Sequence, residues 1–416
     1  FFVASRGHHA DVGGPSPGSM PSFSTSIAEE GLLLRNLLLV RAGQLNRPLW
    51  QATCQAMPHP PRNPSELMAD LQAQVAANQA GVEALQRLAQ REGSGVVVGQ
   101  MALLHQQAAS AVRGLIAAVQ ERHFEVELDD GALLKVRIAV APDRQRMTLD
   151  FSGTSLQRSG NFNAPLAVTK AAVLYVIRTL MTSDVPLNQG CFAPLDLVVP
   201  LGSMLNPRPP AAVVAGNVEV SQALCNLLFG AFGVLAAGQG TMNNLTFGDA
   251  TRQYYETIAG GGGAGDGFQG SEGLQSHMTN SRITDPEVLE QRYPVRLERF
   301  GLRRGSGGPG RWRGGDGLIR SFCFLEPMTL SLISGSRVVP PFGLNGGEAG
   351  TCGSAQVQRA DGRVDVLAGC AQTEVNPGDR ITIATPGGGG FGTAEQSDAP
   401  HLSSLRTEVR TELQSD

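Results

Sequence analysis

The 416-residue sequence predicts an α+β protein with mixed sheets, a helical hairpin and a β-rich C-terminal part. Two long segments within residues 63–122 carry apolar residues at helical spacing and predict the hairpin. Short apolar runs separated by Gly and Pro turns occupy residues 318–392 and are typical of strands. Gly accounts for 52 residues, in clusters, which indicates repeated tight turns and close backbone approach.

The first forty residues contain two apolar runs. FFVAS is expected to be the end of a buried strand, and EEGLLLRNLLLV is a second strand-like run. The polar string SRGHHAD lies between them and is expected to form a loop.

The predicted hairpin has a clear start. Asn63 as N-cap, Pro64 at the first helical position and Glu66 three residues after the cap form a helix start signal. Apolar residues then recur at helical spacing up to Gly93, at Leu67, Leu71, Val75, Val82, Leu85 and Leu88. One face of the second helix is expected to hold Met101, Leu104, Ala108, Val112, Leu115 and Val119.

The remaining elements follow from local patterns. FEVELDDGALLKVRIAV predicts a β-hairpin around Asp130-Gly131, and MTLDFSG predicts a third strand. Residues 164–181 predict a helix, LDLVVP a short buried strand, and residues 218–237 an apolar helix that ends at Gly238. Residues 241–317 predict ordered Gly- and Asn-rich loops, because large side chains are interspersed there. Five strands are expected after them, in IRSFCFL, MTLSLIS, AQVQRA, VDVLAG and DRITIAT.

Composition excludes several classes of protein. A net charge of −4 and a pI of about 6.0 provide no basic field for nucleic acid. No run approaches the roughly 18 apolar residues of a membrane span, and the N-terminus lacks the basic region of a signal peptide. Six widely spaced cysteines without a CxxC pair favour a reducing compartment such as the cytosol. Cys191 is the best candidate for a reactive thiol, although a buried inert cysteine is the more frequent case.

The string SRGHHAD could bind a metal or act in acid/base chemistry. His8, His9 and Asp11 supply imidazole and carboxylate groups suited to Mn, Fe or Zn. Since the two histidines are sequential, they would point in opposite directions in an extended chain, so at most one faces a given site. A hydrogen-bonded structural loop is the alternative, and the spacing alone leaves both open.

Two further loops are candidates for binding. AGGGGAGDG (259–267) could present the backbone N–H groups of Gly261 and Gly262 to an anion, or it could be a flexible loop beside a site. It matches no nucleotide-binding fingerprint. SHMTNSRITDPE concentrates donors and acceptors, among them His277, Asn280 and Arg282, on a predicted loop, which favours a binding role.

Long strings of the sequence carry a family resemblance. They include SRGHHADVGG, DFSGTS, GNFNAP, PLNQGC, AAVVAGNVEVSQ, QGTMNN, YYETIAGGGGAG, SHMTNSRITDPEVLEQRYP, RRGSGGPGRWRGGDG and TPGGGGFG. In order and wording these strings resemble the hydantoinase B family, and within it the C-terminal half of ATP-dependent 5-oxoprolinases. We therefore expect one hydantoinase B-like domain at residues 1–392 and a polar tail at 393–416.

The resemblance implies a reaction and a partner. The reaction is the ATP-dependent opening of 5-oxo-L-proline to L-glutamate, in cytosolic glutathione turnover. ATP would be bound by a hydantoinase A-type ATPase half that this chain lacks, so the fragment alone is expected to be inactive. A homo-oligomer such as a homodimer is also expected. The alternatives are an N-methylhydantoinase or ketone carboxylase type subunit, and a non-catalytic scaffold half.

The resemblance also implies a divalent metal, whether Mn, Mg or Zn. In related ketone carboxylases a His and an Asp from an upstream THLPD-like string and a His from a GHH-like string hold it. The last of these matches His8 here, with His9 the less favoured choice. The other ligands would precede residue 1, so we expect an incomplete metal site.

The resemblance finally suggests roles for individual residues. The expected catalytic residues are His8, Asp11 and His277. The expected substrate-binding residues are Gly261, Gly262 and Asn280, with Arg6 or Arg282 for the substrate carboxylate.

Overall fold

The computed structural model describes residues 1–394. Its helices are α1 (Arg47–Gln55), α2 (Pro64–Glu92), α3 (Ser94–Ala118), α4 (Leu166–Leu180), α5 (Ser221–Phe232) and α6 (Pro286–Arg292). The strands of the first half are β1 (Val40–Arg41), β2 (Gln44–Leu45), β3 (Arg122–Glu127), β4 (Leu133–Val140), β5 (Met147–Asp150) and β6 (Leu195–Val198). Those of the second half are β7 (Asn244–Gly248), β8 (Gln253–Glu256), β9 (Val295–Arg303), β10 (Gly317–Phe324), β11 (Met328–Ile333), β12 (Ser354–Gln358), β13 (Val364–Leu367), β14 (Cys370–Val375) and β15 (Arg380–Ala384). The predicted tail lies almost entirely outside the described residues.

The helical hairpin is confirmed as α2 and α3. The Asn63 side chain accepts a hydrogen bond from the Glu66 N–H at 3.2 Å and donates one to the Glu66 carboxylate at 2.9 Å. The buried side chains of the hairpin lie at its base and are Leu67, Met68, Ala108, Ala109, Val112 and Ile116. Met101 and Leu104 are exposed, contrary to the predicted face, and the buried residues of α3 begin only at Ala108.

The first layered unit packs helices on a four-stranded sheet of order β3-β4-β5-β6. The predicted β-hairpin is confirmed as β3 and β4, and β6 joins β5 in parallel. The predicted helix 164–181 is confirmed as α4, which packs with α3 and α5 to close one apolar core.

The second layered unit is a sandwich of two antiparallel sheets. One has the order β13-β12-β15-β10-β9 and the other β14-β11-β7-β8, and both contribute to one core. The β-rich C-terminal part is therefore confirmed, and so is the α+β class. The sandwich nevertheless recruits β7, β8 and β9 from the segment that the sequence suggested was loops.

Three local predictions are wrong. Residues 1–5 form no strand, and Phe1 and Phe2 are 69% and 103% exposed, because no neighbouring strand pairs with them. EEGLLLRNLLLV contributes only the two-residue β1. The apolar helix at 218–237 ends at Phe232, because Gly233 adopts a left-handed conformation (φ 73°) and caps it.

Glycine-rich segments from distant parts of the sequence form a layer of directly contacting backbones. Gly262 accepts a hydrogen bond from the Gly315 N–H at 2.9 Å, and Gly315 accepts one from the Gly388 N–H at 2.9 Å. A Cβ added at Gly388 would lie 1.9 Å from the Gly262 oxygen. The glycine-rich segments therefore have a structural role, in which their backbones pack directly against one another.

No helix of residues 1–394 is long and apolar enough to cross a bilayer.

Candidate functional site

The two histidines of the N-terminal loop differ in their surroundings. His8 is exposed. His9 lies against α2, with its Nε2 atom 3.3 Å from Gln74 Oε1 and its Nδ1 atom 3.4 Å from Asp70 Oδ2. The Nδ1 atom of His9 is buried and has no hydrogen bond among the described residues.

Asp11 is buried and fixes the loop to the start of α2. Its Oδ1 atom accepts the Gly13 N–H at 3.0 Å, and its Oδ2 atom accepts the Asn63 N–H at 2.7 Å. Asp11 also lines a polar cavity of about 270 Å³ with Glu66 and Asp70. Since both oxygens already accept backbone donors, this carboxylate is suited to holding the loop in place.

The metal that the resemblance implies needs three or more ligands in one place. Within residues 1–394, no group of three His, Cys, Asp or Glu side chains is close enough to hold an ion. His9 and Asp70 form a pair of possible ligands, with Nδ1 3.4 Å from Oδ2, but no third ligand joins them among the described residues. These residues alone do not fit a divalent metal.

The glycine loop does not offer free amides. Gly261 N–H donates to the Pro386 carbonyl at 2.9 Å, and Gly262 N–H donates to the Ser271 carbonyl at 2.8 Å. The expectation that these two amides present themselves to an anion is therefore wrong, because the glycine layer uses them.

The remaining predicted residues are scattered. Arg6, Asn280 and Arg282 are exposed, whereas Cys191 is fully buried in the first core. Burial without a polar partner is typical of an inert cysteine.

His277 lies in a different environment from His8 and Asp11. Its ring is enclosed by Phe229 and Tyr175, with centroids 5.3 Å and 5.8 Å away. Its Nε2 atom is 3.0 Å from the Oδ1 atom of Asn226 on α5. Desolvation lowers the pKa of His277 to about 4, so the ring is neutral at pH 7 and donates Nε2–H to Asn226.

The contacts of His277 and those of the N-terminal loop share no residue, so the structure does not bring the predicted catalytic residues together. Asn226, which His277 contacts, lines a second cavity of about 670 Å³ between the two layered units. Its walls include the aromatic rings of Phe124, Phe162 and Phe342. Cavities of this size accommodate small-molecule ligands.

Glu219 lies in the wall of this second cavity and is 3% exposed. Its Oε1 atom accepts three hydrogen bonds, from Thr241 Oγ1 at 2.9 Å, the Met242 N–H at 3.1 Å and Asn244 Nδ2 at 2.7 Å. Its Oε2 atom is buried and has no partner among the described residues. Desolvation raises the pKa of Glu219 to about 8 despite these donors, so the carboxyl is largely protonated at pH 7 and Oε2–H is a free donor.

Arg337 lines the same cavity. Its guanidinium donates to Ser334 Oγ at 3.0 Å, the Ala384 carbonyl at 3.1 Å and Asn243 Oδ1 at 3.0 Å. All three acceptors are neutral, and desolvation lowers the pKa of Arg337 to about 10. The group is still charged at pH 7, and two of its five N–H donors have no acceptor among residues 1–394.

The backbone around the second cavity is unusual. Glu219 sits on a single π-helical turn, Gly216–Val220, that leads into α5. Asn243, His277 and Ser336, all non-glycine residues, have φ values of 46°, 56° and 53°. π-Turns and left-handed non-glycine residues concentrate at functional sites. The sequence offered one signal for this site, a lone carboxylate inside an otherwise apolar helical run, and that signal was missed.

A hydrogen-bonded path connects the two cavities. Tyr255, which lines the cavity of Asp11, donates its hydroxyl to Asn244 Oδ1 at 2.8 Å. Asn244 in turn donates to Glu219 Oε1. A residue of the first cavity wall is therefore hydrogen-bonded, through Asn244, to the buried carboxyl of the second.

Comparison with known proteins places this geometry in context. Residues 1–394 match the family described as hydantoinase B/oxoprolinase. The chain is 45% identical to 5-oxoprolinase 1 of Arabidopsis thaliana and 43% identical to 5-oxoprolinase of Dictyostelium discoideum, over 94% of its own length in both cases. It covers 33% and 31% of those two proteins, so it spans about a third of the length of these relatives.

A solved structure shares the fold. The crystal structure of the ATP-dependent caprolactamase from Pseudomonas jessenii aligns with a TM-score of 0.79 at 21% identity, covering 98% of this chain and 74% of that one. Because the family match extends over the whole described region, the chain belongs to the hydantoinase B/oxoprolinase family.

Proposed function

We propose that this chain is the ring-opening half of an ATP-dependent 5-oxoprolinase, which converts 5-oxo-L-proline to L-glutamate. The observation that carries the proposal is the 45% identity to a protein named 5-oxoprolinase over 94% of the chain. The partner is a hydantoinase A-type ATPase half that binds ATP. The proposal includes a cytosolic reaction in glutathione turnover and a homo-oligomeric enzyme.

The chemistry explains why two halves are needed. A five-membered lactam recloses readily because its amine and carboxyl are held at high effective molarity. Transfer of a phosphoryl group from ATP to the amide oxygen would create a good leaving group and an electrophilic carbon. The half described here would then hold the activated ring, exclude bulk water and admit two waters in turn. The first would add to the activated carbon and break the ring C–N bond, with the nitrogen leaving as the free amine of a glutamyl acyl phosphate. The second would displace phosphate from that acyl phosphate and leave L-glutamate.

The test of the reaction uses the full chain together with a hydantoinase A-type half. Substrate-dependent ADP release is measured with 5-oxo-L-proline, with a hydantoin, and with acetone plus bicarbonate. We expect release with 5-oxo-L-proline accompanied by L-glutamate formation. Release with only a hydantoin or only acetone and bicarbonate would favour the N-methylhydantoinase or ketone carboxylase alternative instead.

The role of the N-terminal loop is tested separately. His8 is exposed, so His8→Ala should leave folding unchanged. If His8 acts on a metal or a proton, the substitution lowers turnover by about 100-fold or more. His123→Ala, at another exposed histidine, is the matched control. Unchanged turnover and unchanged metal content in the His8 variant would remove this role and favour a scaffold.

A further inference from the structure

The second cavity contains two groups that the protein leaves incompletely satisfied. The Glu219 Oε2 atom is buried without a hydrogen-bond partner among residues 1–394. The Arg337 guanidinium is desolvated, and its three side-chain hydrogen bonds go to neutral oxygens. Buried polar groups are normally paired, so both point to a ligand.

Arg337 is the one basic residue of the described cavity wall, and most of the acidic residues beside it are already engaged. Glu125 and Asp130 are exposed and form ion pairs with Lys135 and Arg158, and Glu127 is exposed to solvent. Asp129 accepts the backbone N–H groups of Arg337, Val338 and Val339 at 2.7, 3.0 and 2.8 Å. It therefore anchors the loop that carries Arg337, while the guanidinium keeps two N–H donors. A carboxylate matches a planar guanidinium by accepting two parallel hydrogen bonds.

The rest of the cavity favours a small, compact organic ligand. Phe124 and Phe342 contact each other at 5.2 Å between centroids and form part of the wall. Apolar rings of this kind bury the hydrocarbon part of a ligand. Arg337 offers charged N–H donors, whereas the protonated Glu219 carboxyl offers a neutral O–H donor, which suits a carbonyl oxygen.

We propose that the second cavity binds a small organic acid that carries both a carboxylate, held by Arg337, and an amide carbonyl, held by Glu219. 5-Oxo-L-proline has both groups on one five-membered ring. The choice of 5-oxo-L-proline as the ligand rests on the proposed function. The inference that the cavity binds an organic anion does not, because it rests on Arg337 and Glu219.

Binding is tested by titration calorimetry on the full chain without ATP or a partner half. The probes are 5-oxo-L-proline and 2-pyrrolidone, which is the same ring without the carboxylate. We expect the wild-type chain to bind 5-oxo-L-proline at least tenfold more tightly than 2-pyrrolidone, since one charge-assisted contact is lost. Equal affinity, or no binding of 5-oxo-L-proline, would overturn the proposal.

Substitutions in the cavity wall test whether 5-oxo-L-proline binds there. Arg337→Gln should weaken 5-oxo-L-proline binding about 10- to 100-fold, while Arg87→Gln, on the exposed face of α2, should not change it. Glu219→Gln should bind within about threefold of wild type, because its amide replaces the O–H donor, and Glu219→Leu should lose about tenfold.

A substitution at the opening of the cavity gives a second test that leaves the buried residues unchanged. Val338 is 71% exposed at the cavity edge, so Val338→Trp can block the opening without disturbing the buried network. It should weaken binding as Arg337→Gln does. If both variants fold and bind normally, the cavity is not the site, even where the two-half enzyme opens the ring. If the two-half enzyme proves inactive while binding still depends on Arg337, the cavity proposal stands and the proposed function fails.

Discussion

At the scale of single residues, Glu219 shows how burial sets the protonation of a carboxyl group. Three donors on its Oε1 atom favour the ionised form, yet desolvation outweighs them and raises the pKa to about 8. The uncharged carboxyl can then remain in the wall with a free O–H. A carboxyl kept neutral by its surroundings is a common device for donating a hydrogen bond at pH 7.

This pKa makes a prediction about stability. The folded value of about 8 exceeds the model value of 4.5, so the folded state binds one more proton than the unfolded state between these pH values. Stability is full below pH 4.5 and falls by about 1.4 kcal/mol per pH unit as pH rises toward 8. Glu219→Gln should lack this decline in urea unfolding measured at pH 5, 6.5 and 8. Glu83→Gln, at an exposed glutamate, is the control, and parallel profiles for wild type and Glu219→Gln would contradict the assignment.

His277 predicts the opposite dependence. Its folded pKa of about 4 lies below the model value of 6.5, so its contribution is present above pH 6.5 and is lost as pH falls toward 4. His277→Gln should flatten the loss of stability between pH 6.5 and 4. The thermal midpoint measured over this range checks it, with His123→Gln as an exposed control.

At the scale of elements, the N-terminal loop and helix α2 stabilise each other through Asp11. Its two hydrogen bonds reach the Gly13 N–H and the N-cap residue Asn63. Asp11→Ala should lower the free energy of unfolding by about 1 to 3 kcal/mol, because it removes charge-assisted bonds to buried amides. Asp184→Ala removes an exposed carboxylate instead and should change stability by less than about 0.5 kcal/mol. A comparable loss in both variants, measured by urea unfolding, would refute the anchoring role of Asp11.

The elements that sequence alone could predict are those with local signals. The α2 start at Asn63 and the β3–β4 turn at Asp130-Gly131 depend on neighbours in sequence, and both were predicted. Strands β7 and β8 were not predicted. Strand β7 pairs with β11, more than eighty residues away in sequence. Glu219 has one local signal, a carboxylate within an apolar helical run, but its partner Asn244 reaches it only through the fold.

At the scale of the whole molecule, the glycine layer ties the second cavity to the sandwich. Ala237 donates its N–H to the Phe342 carbonyl at 3.0 Å and accepts the Gly389 N–H at 2.8 Å. Ala237 and Phe342 both line the cavity. The glycine-rich segment that contains Gly389 therefore supports a wall residue of the cavity, and the close contacts within the glycine layer require residues without a Cβ.

Gly388→Ala tests this arrangement. The added Cβ would lie 1.9 Å from the Gly262 oxygen and 2.3 Å from its carbonyl carbon, and neither backbone atom can move without displacing the layer. We expect the free energy of unfolding to fall by about 3 kcal/mol, at the upper end for overpacking. Gly160→Ala is the matched control, because no atom lies within 4 Å of its added Cβ, and it should change stability by less than about 0.5 kcal/mol. Because Gly389 supports Ala237, Gly388→Ala should also weaken 5-oxo-L-proline binding in any fraction that remains folded. Equal stability of the two variants in urea unfolding would show that the layer yields easily, and the cavity wall would then need another source of rigidity.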